Sequence, residues 1–232
     1  MGTGTYARDL RKYCPDMQIT GVEIDDKITE LAGEYFSEPA DIPVVTYDGR
    51  AYLNAVTDTY DVIMVDAYQD ITIPFQMSSE EFFRLVYDHL KPGGVMVVNM
   101  NMISDGEGSI NEALTDTIAA VFGAGEMLTA DVPGTTNREL FAKRGGDGVP
   151  TITESLEAMW KGGSTLDRTV QQVDPLFVPV SVSGNDTVLT DDKAPVEILG
   201  IHAIDGIIAE EAGPYREAFE KDGIQGLLRA VQ

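Results

Sequence analysis

Glycine and acidic residues recur where predicted strands end, and these residue types suit the binding of a nucleoside-like ligand. Gly2 and Gly4 lie in the segment MGTGTYA at the beginning of the chain. Such a loop lets the backbone approach a ligand without side-chain obstruction, at the positive end of the next helix. Glu23 follows about 20 residues later, where a carboxylate accepts hydrogen bonds from both hydroxyls of a ribose.

The glycine pattern by itself fits more than one ligand. Residues 2–7 match the G-x-G-x-x-G/A dinucleotide fingerprint, and a tight structural turn explains the same spacing. Asp48 and Gly49 end the next predicted strand, where a carboxylate accepts a hydrogen bond from an adenine amino group. Asp66 ends the strand after that. We interpret the series as a site for an S-adenosyl ligand across the strand ends, in preference to a dinucleotide.

Alternating periodicities predict the elements that position these residues. We predict strands at 18–24, 43–47, 60–67 and 94–100, helices at 26–36, 49–56, 80–90 and 109–122, and a final strand pair at 126–132 and 138–144. This order is typical of an α/β, Rossmann-like, doubly wound and mostly parallel sheet with an antiparallel final strand. The apolar run 60–67 suits a buried strand, and LKPGG ends the helix before 94–100.

The glycine-rich loop normally follows a strand, but no strand pattern precedes it here. We therefore expect the sheet to lack its first strand, and Met1 to be an internal methionine of a longer ancestral sequence. The break at 145–150 separates an S-adenosyl-binding domain, 1–145, from a C-terminal extension, 146–232, packed on the same domain. We expect this small helical appendage to carry a helix around 155–161, an extended piece at 174–182 and a helical tail from 202.

Composition narrows the classes of partner. The net charge of −23 disfavours nucleic-acid binding and attracts a cationic amine. No apolar run approaches the roughly 20 residues of a membrane helix, and no secretory signal is visible, so we predict a cytoplasmic protein without a membrane partner. One cysteine and two histidines make a nitrogen or sulfur metal site improbable, so we expect no metal.

Six segments together resemble the spermidine synthase-like proteins. They are GTYARDLRKYCPD, ITGVEIDDKITELAGEYF, TYDGRAYL, YDVIMVDAY, IPFQMSSEEFFRLVYDHLKPGGVMVVN and LTDDKAPVE. That family belongs to the class I S-adenosylmethionine-dependent methyltransferase fold. The resemblance implies a polyamine aminopropyltransferase that uses decarboxylated S-adenosylmethionine, releases methylthioadenosine and forms a homodimer.

The same resemblance implies roles on the nucleoside side of the site. Glu23, with Ile24 beside it, holds the ribose. Asp48 and Gly49 hold the adenine, and the loop 2–4 lies near the sulfonium.

On the amine side, the resemblance implies that Asp66 faces the attacking amine. A nearby carboxylate binds the ammonium and accepts the proton that it must lose. Tyr68 hydrogen-bonds the amine, and Asp70 binds its charge.

The sequence departs from the family pattern at two places that would recognise amines. The loop GTGTY lacks the acidic residue of true spermidine synthases, and Asp66 and Asp70 are four residues apart, where the family has three, with no proline after them. Adenosyl binding is thus better supported than aminopropyl transfer. The acidic run at 191–192 with Glu197 either replaces a lost carboxylate or forms a solvated loop.

Three other functions fit parts of the pattern. The alternatives on the same fold are a methyltransferase that uses S-adenosylmethionine and a non-catalytic S-adenosyl-binding paralogue. An NAD-linked dehydrogenase is disfavoured, because His89 and His202 offer no site for hydride transfer.

Overall fold

The structure is a computed structural model that describes residues 1–36, 41–67, 73–101, 107–145, 165–182 and 188–230. Its helices are α1 (Thr5–Tyr13), α2 (Asp26–Tyr35), α3 (Gly49–Ala55), α4 (Glu80–His89), α5 (Ile110–Phe122), α6 (Thr165–Val173) and α7 (Val196–Ala230). Its strands are β1 (Gly21–Glu23), β2 (Val44–Thr46), β3 (Tyr60–Val65), β4 (Leu90–Asn101), β5 (Met127–Asp131), β6 (Asn137–Lys143) and β7 (Phe177–Pro179). A short 3-10 helix, Phe75–Met77, precedes α4.

Two sheets organise the described part of the chain. β1 and β2 form a parallel pair, and the other strands form a five-stranded sheet in the order β3-β4-β6-β5-β7. The predicted α/β class and the late antiparallel strand are confirmed. The sheet is mixed, however, and not mostly parallel. Only β3 and β4 run parallel in the larger sheet, because β5 and β6 form a hairpin and β7 adds antiparallel to β5.

β1 and β3 each pair on one side only among the described strands, β1 with β2 and β3 with β4. The prediction that 60–67 is a buried strand holds only for its end: Val65 is 4% exposed, whereas Val62 is 40% exposed. β1 is also shorter than the predicted 18–24, since its pairing with β2 begins only at Gly21.

β4 begins earlier than predicted. LKPGG ends α4 as expected, but its backbone also joins the sheet instead of forming a separate turn. Leu90 pairs with Tyr60, and the Gly93 amide donates to the Arg144 carbonyl at 2.7 Å. Gly93 adopts φ +80°, which a residue with a side chain rarely takes.

Helices α4 and α5 bury one face of the large sheet. Along β4, Met96, Val98 and Met100 are at most 1% exposed, whereas the residues between them are half-buried on the opposite face. This alternation is the period of a strand covered on one side. The N-cap of α4 is Ser79, whose hydroxyl accepts from the Phe82 amide at 3.3 Å, and the first turn delivers Phe82 and Phe83 to the core.

The segment after residue 188 packs on the same core. Leu189, Val196 and Ala203 are buried among the residues of α4, α5 and β4. The last helix begins at Val196, six residues before the predicted 202, and Val196 is fully buried. The extended piece at 174–182 contains β7, and the helix predicted around 155–161 lies outside the described residues.

Thr117 is the hydrogen-bonding centre of this contact. Its hydroxyl donates to the Ala113 carbonyl at 2.6 Å and accepts from the Leu189 amide at 2.9 Å, and Thr117 is fully buried. The hydrogen bond from the Leu189 amide to Thr117 therefore holds the segment 189–203 on α5. Both residues are buried, so water cannot take the place of either partner.

We predict that Thr117→Val lowers the free energy of unfolding by about 1–3 kcal/mol, because it leaves the buried Leu189 amide without an acceptor. Urea denaturation followed by circular dichroism measures the change. Thr115→Val, in the same helix at a half-buried position, is the matched control and should change stability by less than about 0.5 kcal/mol. Equal effects of the two substitutions would contradict the assigned role of Thr117.

Candidate functional site

The glycine-rich loop is fastened to the end of β1 by Glu23. The Gly2 amide donates to Glu23 Oε2 at 2.8 Å, and the Asp25 amide donates to Oε1 at 3.1 Å. The Met1 ammonium lies 3.3 Å from Oε2. Gly4, with φ +72°, directly precedes α1. The structure therefore brings Gly2, Gly4 and Glu23 together, and one carboxylate organises the loop.

These donors also set the charge of Glu23. Burial alone would raise its pKa, but the Gly2 and Asp25 amides and the Met1 ammonium outweigh burial and lower the pKa of Glu23. The group is a carboxylate at neutral pH. A carboxylate has about four lone-pair positions, and the two amides and the Met1 ammonium use three of them, so one position on Oε1 remains for a ribose hydroxyl.

Asp48 and Gly49 lie beside Glu23 at the adjacent strand end. The Tyr47 amide donates to the Glu23 carbonyl at 2.9 Å, which places the ends of β1 and β2 side by side. Asp48 is the N-cap of α3, and its Oδ1 accepts from the Ala51 amide at 2.7 Å. A methyl group on Gly49 would lie 3.6 Å from Met77 Cε, an ordinary contact, so packing within the protein does not require glycine there.

Ile24 follows Glu23 and is 69% exposed. An exposed apolar residue next to these polar groups offers a surface for a flat base. The predicted nucleoside-binding residues thus share one edge, formed by the carboxyl ends of β1 and β2.

Asp66 lies one residue beyond β3, at the carboxyl end of the larger sheet. Its Oδ1 accepts from Asn99 Nδ2 at 3.0 Å, and its side chain is exposed. Tyr68 and Asp70, the other two predicted amine-binding residues, lie outside the described residues.

Glu139 is a second carboxylate at this place, and the sequence interpretation missed it. It lies on β6 directly opposite Asn99, whose amide binds Asp66. Its Oε2 is buried and has no hydrogen-bond partner among the described residues. Burial, and then the charge of Asp66, raise the pKa of Glu139. The available signal was a glutamate in the strand RELFAKR, whose alternate residues Leu140 and Ala142 are core.

Tyr6, on the first helix, is influenced by the charge of Glu139. It lies on α1, directly after the glycine-rich loop, and burial and then the charges of Cys14 and Glu139 raise its pKa. The beginning of α1 is therefore within electrostatic range of Glu139.

Asp191 belongs to an exposed acidic run, and its side chain is 41% exposed, but its carboxylate is paired within the protein. Arg50 donates to both of its oxygens, at 2.7 and 2.6 Å, and Ser79 donates to Oδ1. Asp192 and Glu197 are exposed.

The described residues hold neither a cluster of metal-ligating side chains nor a membrane-spanning helix. No group of three or more His, Cys, Asp or Glu side chains is placed to hold a metal ion. No helix in the described ranges has the length and apolar character needed to cross a membrane.

We predict that Glu23→Gln lowers the free energy of unfolding by about 1–2 kcal/mol at neutral pH, because the amide has one oxygen and can accept from Gly2 or from Asp25 but not from both. Since the folded-state pKa lies below the ordinary 4.5, this stabilisation is present above that value and is lost as the pH falls through the folded pKa. Denaturant unfolding at a series of pH values should show the two proteins converging in acid. A difference independent of pH would contradict the role of the charge.

Comparisons with known sequences agree on one family. The spermine/spermidine synthase domain model matches residues 2–141. The chain is 65% identical, over 243 aligned positions, to a probable polyamine aminopropyl transferase of Bifidobacterium longum, covering 100% of this chain and 54% of that protein. It is 28% identical over 142 positions to polyamine aminopropyltransferase 2 of Pseudomonas aeruginosa, covering 57% of this chain and 40% of that protein. The chain spans about half the length, or less, of these curated relatives.

Solved structures support the fold. A probable spermidine synthase of Corynebacterium glutamicum matches with a TM-score of 0.55 and 21% identity, covering 68% of this chain and 58% of that one. Human methyltransferase-like protein 13, in complex with SAH, matches with a TM-score of 0.56 and 21% identity. The match covers 74% of this chain and 85% of that one. Spermidine synthase of Thermotoga maritima matches with a TM-score of 0.52 and 22% identity. The match covers 64% of this chain and 53% of that one.

At these identities the structures confirm the predicted Rossmann-like methyltransferase fold alone. The family model matches more than half of the chain, in the region that holds the glycine-rich loop, Glu23, Asp48 and Asp66. The chain belongs to the spermine/spermidine synthase family.

Proposed function

We propose that the protein is a polyamine aminopropyltransferase, which transfers an aminopropyl group from decarboxylated S-adenosylmethionine to an amine such as putrescine. The observation that carries this proposal is the pair of carboxylates, Asp66 and Glu139, on either side of Asn99. This pair suits a cation, and Asp66 follows the carboxyl end of a parallel strand pair, as do the residues suited to a nucleoside. The 65% identity with an aminopropyl transferase of B. longum supports the same activity.

On the nucleoside side, Glu23 binds a ribose hydroxyl and Asp48 binds the adenine amino group. Gly49 leaves room for the base, Ile24 packs on it, and the loop 2–4 lies near the sulfonium. Support comes from the hydrogen bonds that hold Glu23 and Asp48 at adjacent strand ends. The carboxylate of Asp48 is also fixed in direction by its bond to the Ala51 amide.

On the amine side, Asp66 binds the ammonium form of the acceptor and takes one of its protons. The amine nitrogen then attacks the carbon beside the sulfonium, and a carbon–nitrogen bond forms as the carbon–sulfur bond breaks. The sulfur keeps the electron pair of the broken bond and leaves as neutral methylthioadenosine. A sulfonium is a good leaving group, so orientation of the two substrates supplies much of the rate. Tyr68 and Asp70 remain predicted contacts of the amine.

Glu139 provides the second negative charge of the amine site. Its buried Oε2 has no described hydrogen-bond partner, and leaving a charge in that condition is costly. A bound ammonium group removes the cost by pairing with the carboxylate. The net charge of −23 adds a long-range attraction for cations.

The predictions of a cytoplasmic homodimer without metal, nucleic-acid or membrane partners stay predictions. We propose the homodimer because α7 exposes apolar side chains that an interface between copies would cover. They are Ile198, Ile201, Ile208, Phe219, Ile224 and Leu228. Sedimentation equilibrium of the full chain tests this proposal.

The test of function incubates the protein with decarboxylated S-adenosylmethionine and putrescine and measures spermidine and methylthioadenosine. We expect turnover, and we expect Asp66→Asn to lower kcat by about 10²–10⁴-fold, because the general base is lost. Asp61→Asn is the matched control: Asp61 lies at the opposite end of β3 and pairs with Lys91 on the surface. This variant should keep wild-type kcat.

Two outcomes would overturn the proposal. Turnover of S-adenosylmethionine to S-adenosylhomocysteine, with no reaction of the decarboxylated form, would indicate a methyltransferase. Binding of methylthioadenosine without turnover of any polyamine acceptor would indicate a non-catalytic paralogue.

A second prediction concerns Glu139→Gln. We expect the KM for putrescine to rise about tenfold with little change in kcat, since the amide cannot pair with a cation. In the wild type, amine affinity should increase as the pH rises through the raised pKa of Glu139, because the carboxyl group must ionise before it binds a cation.

That pH dependence should be absent in Glu139→Gln. The unliganded variant should also be at least as stable as the wild type at neutral pH, because a buried unpaired charge has been removed. A variant with lower stability and an unchanged KM would show that Glu139 serves the fold and not the amine.

A further inference from the structure

An ion pair between Arg50 and Asp191 joins two parts of the chain that are 141 residues apart. The guanidinium donates through Nη1 to Oδ1 at 2.7 Å and through Nη2 to Oδ2 at 2.6 Å. This is the two-pronged geometry that makes an arginine–carboxylate pair directional as well as strong.

Both partners of the pair have further bonds. Arg50 Nη1 also donates to the Gln76 carbonyl at 2.8 Å, in the middle of the 3-10 helix Phe75–Met77. Asp191 accepts from the Ser79 hydroxyl, and its amide donates to Glu81 Oε2 at 3.0 Å. The pair therefore connects α3, the 3-10 helix, the beginning of α4 and the C-terminal segment.

Arg50 lies next to the turn that we assign to the adenine. Arg50 directly follows Asp48 and Gly49, the turn to which we assign the adenine. Met77, at the end of the 3-10 helix, is the side chain nearest to Gly49. Because Arg50 holds the carbonyl of Gln76, the residue before Met77, the ion pair fixes the turn and the segment beside it relative to each other.

We propose that Asp191, acting through Arg50, is a positioning residue for the nucleoside: the pair holds the Asp48–Gly49 turn against Phe75–Met77 and so sets the affinity for the adenosyl group. This inference rests on the proposed function and extends the nucleoside site to a residue beyond 188. Neither side chain of the pair contacts the reacting atoms.

The pair suits positioning better than it suits global stability. The Arg50 and Asp191 side chains are 21% and 41% exposed, and ion pairs so open to water contribute little to folding. The hydrogen bonds from Arg50, and then the one from Ser79, lower the pKa of Asp191, so the pair stays ionised well into acid. Its geometry is therefore constant through the neutral range.

The experiment measures the Kd of methylthioadenosine by titration calorimetry, well below the unfolding temperature, on the full chain. We expect Asp191→Asn and Arg50→Lys each to raise Kd about tenfold, because each keeps one bond but loses the two-pronged geometry. The Kd of the double variant should not exceed that of the single variant with the higher Kd, because both substitutions break the same contact. Asp61→Asn, the same chemical change in a surface ion pair, should leave Kd unchanged.

A kinetic measurement separates positioning from general damage. In Asp191→Asn, the KM for decarboxylated S-adenosylmethionine should rise, with the KM for putrescine unchanged. Variants that lose thermal stability but keep the wild-type Kd would overturn the inference, since Asp191 would then be only structural. A wild-type protein that does not bind methylthioadenosine would instead overturn the proposed function, and the inference with it.

Discussion

The register of β4 between β3 and β6 is the constraint on which both the core and the carboxylate pair of the proposed amine site depend. β4 pairs parallel with β3 on one side and antiparallel with β6 on the other. One set of its alternate residues, Met96, Val98 and Met100, fills the core under α4 and α5. The other set carries Asn99 between Asp66 and Glu139. A slip of one residue would place Asn99 among the helices and expose the apolar set, so burial of the core enforces the geometry of the polar site.

The carboxylates of this acidic chain divide according to what surrounds them. Glu23 and Asp191 receive hydrogen bonds on both oxygens, and these donors lower the pKa of each group. Glu139 differs from both: it is half-buried near Asp66, its buried Oε2 has no described donor, and its pKa is raised. Charges of the first kind hold the backbone in place. A charge of the second kind costs free energy in the unliganded protein, and a bound cation removes that cost.

Periodicity in the sequence predicted most of the helices and strands, and it placed the proposed nucleoside-binding residues at neighbouring strand ends. Periodicity located the strands and helices that begin and end within short stretches, such as α3, α5 and the β5–β6 hairpin. It also placed Glu23 and Asp48 at adjacent strand ends, because parallel strands share that edge. Periodicity missed the edge position of β3 and the entry of LKPGG into β4, since both depend on which strands are neighbours. Glu139 was missed for the same reason: only pairing with Asn99 reveals its surroundings.

Hydrogen bonds join the segment after residue 188 to the region that the family model matches. The family model ends at residue 141, but the Leu189 amide and carbonyl are bound by Thr117 and Glu80, and Asp191 is bound by Arg50 and Ser79. A chain cut after β6 would leave the guanidinium of Arg50 without its carboxylate, next to the turn that presents Asp48. The buried hydroxyl of Thr117 would also lose the amide that it accepts from. The segment after 188 is therefore held against the proposed nucleoside-binding edge, although it lies far from that edge in sequence.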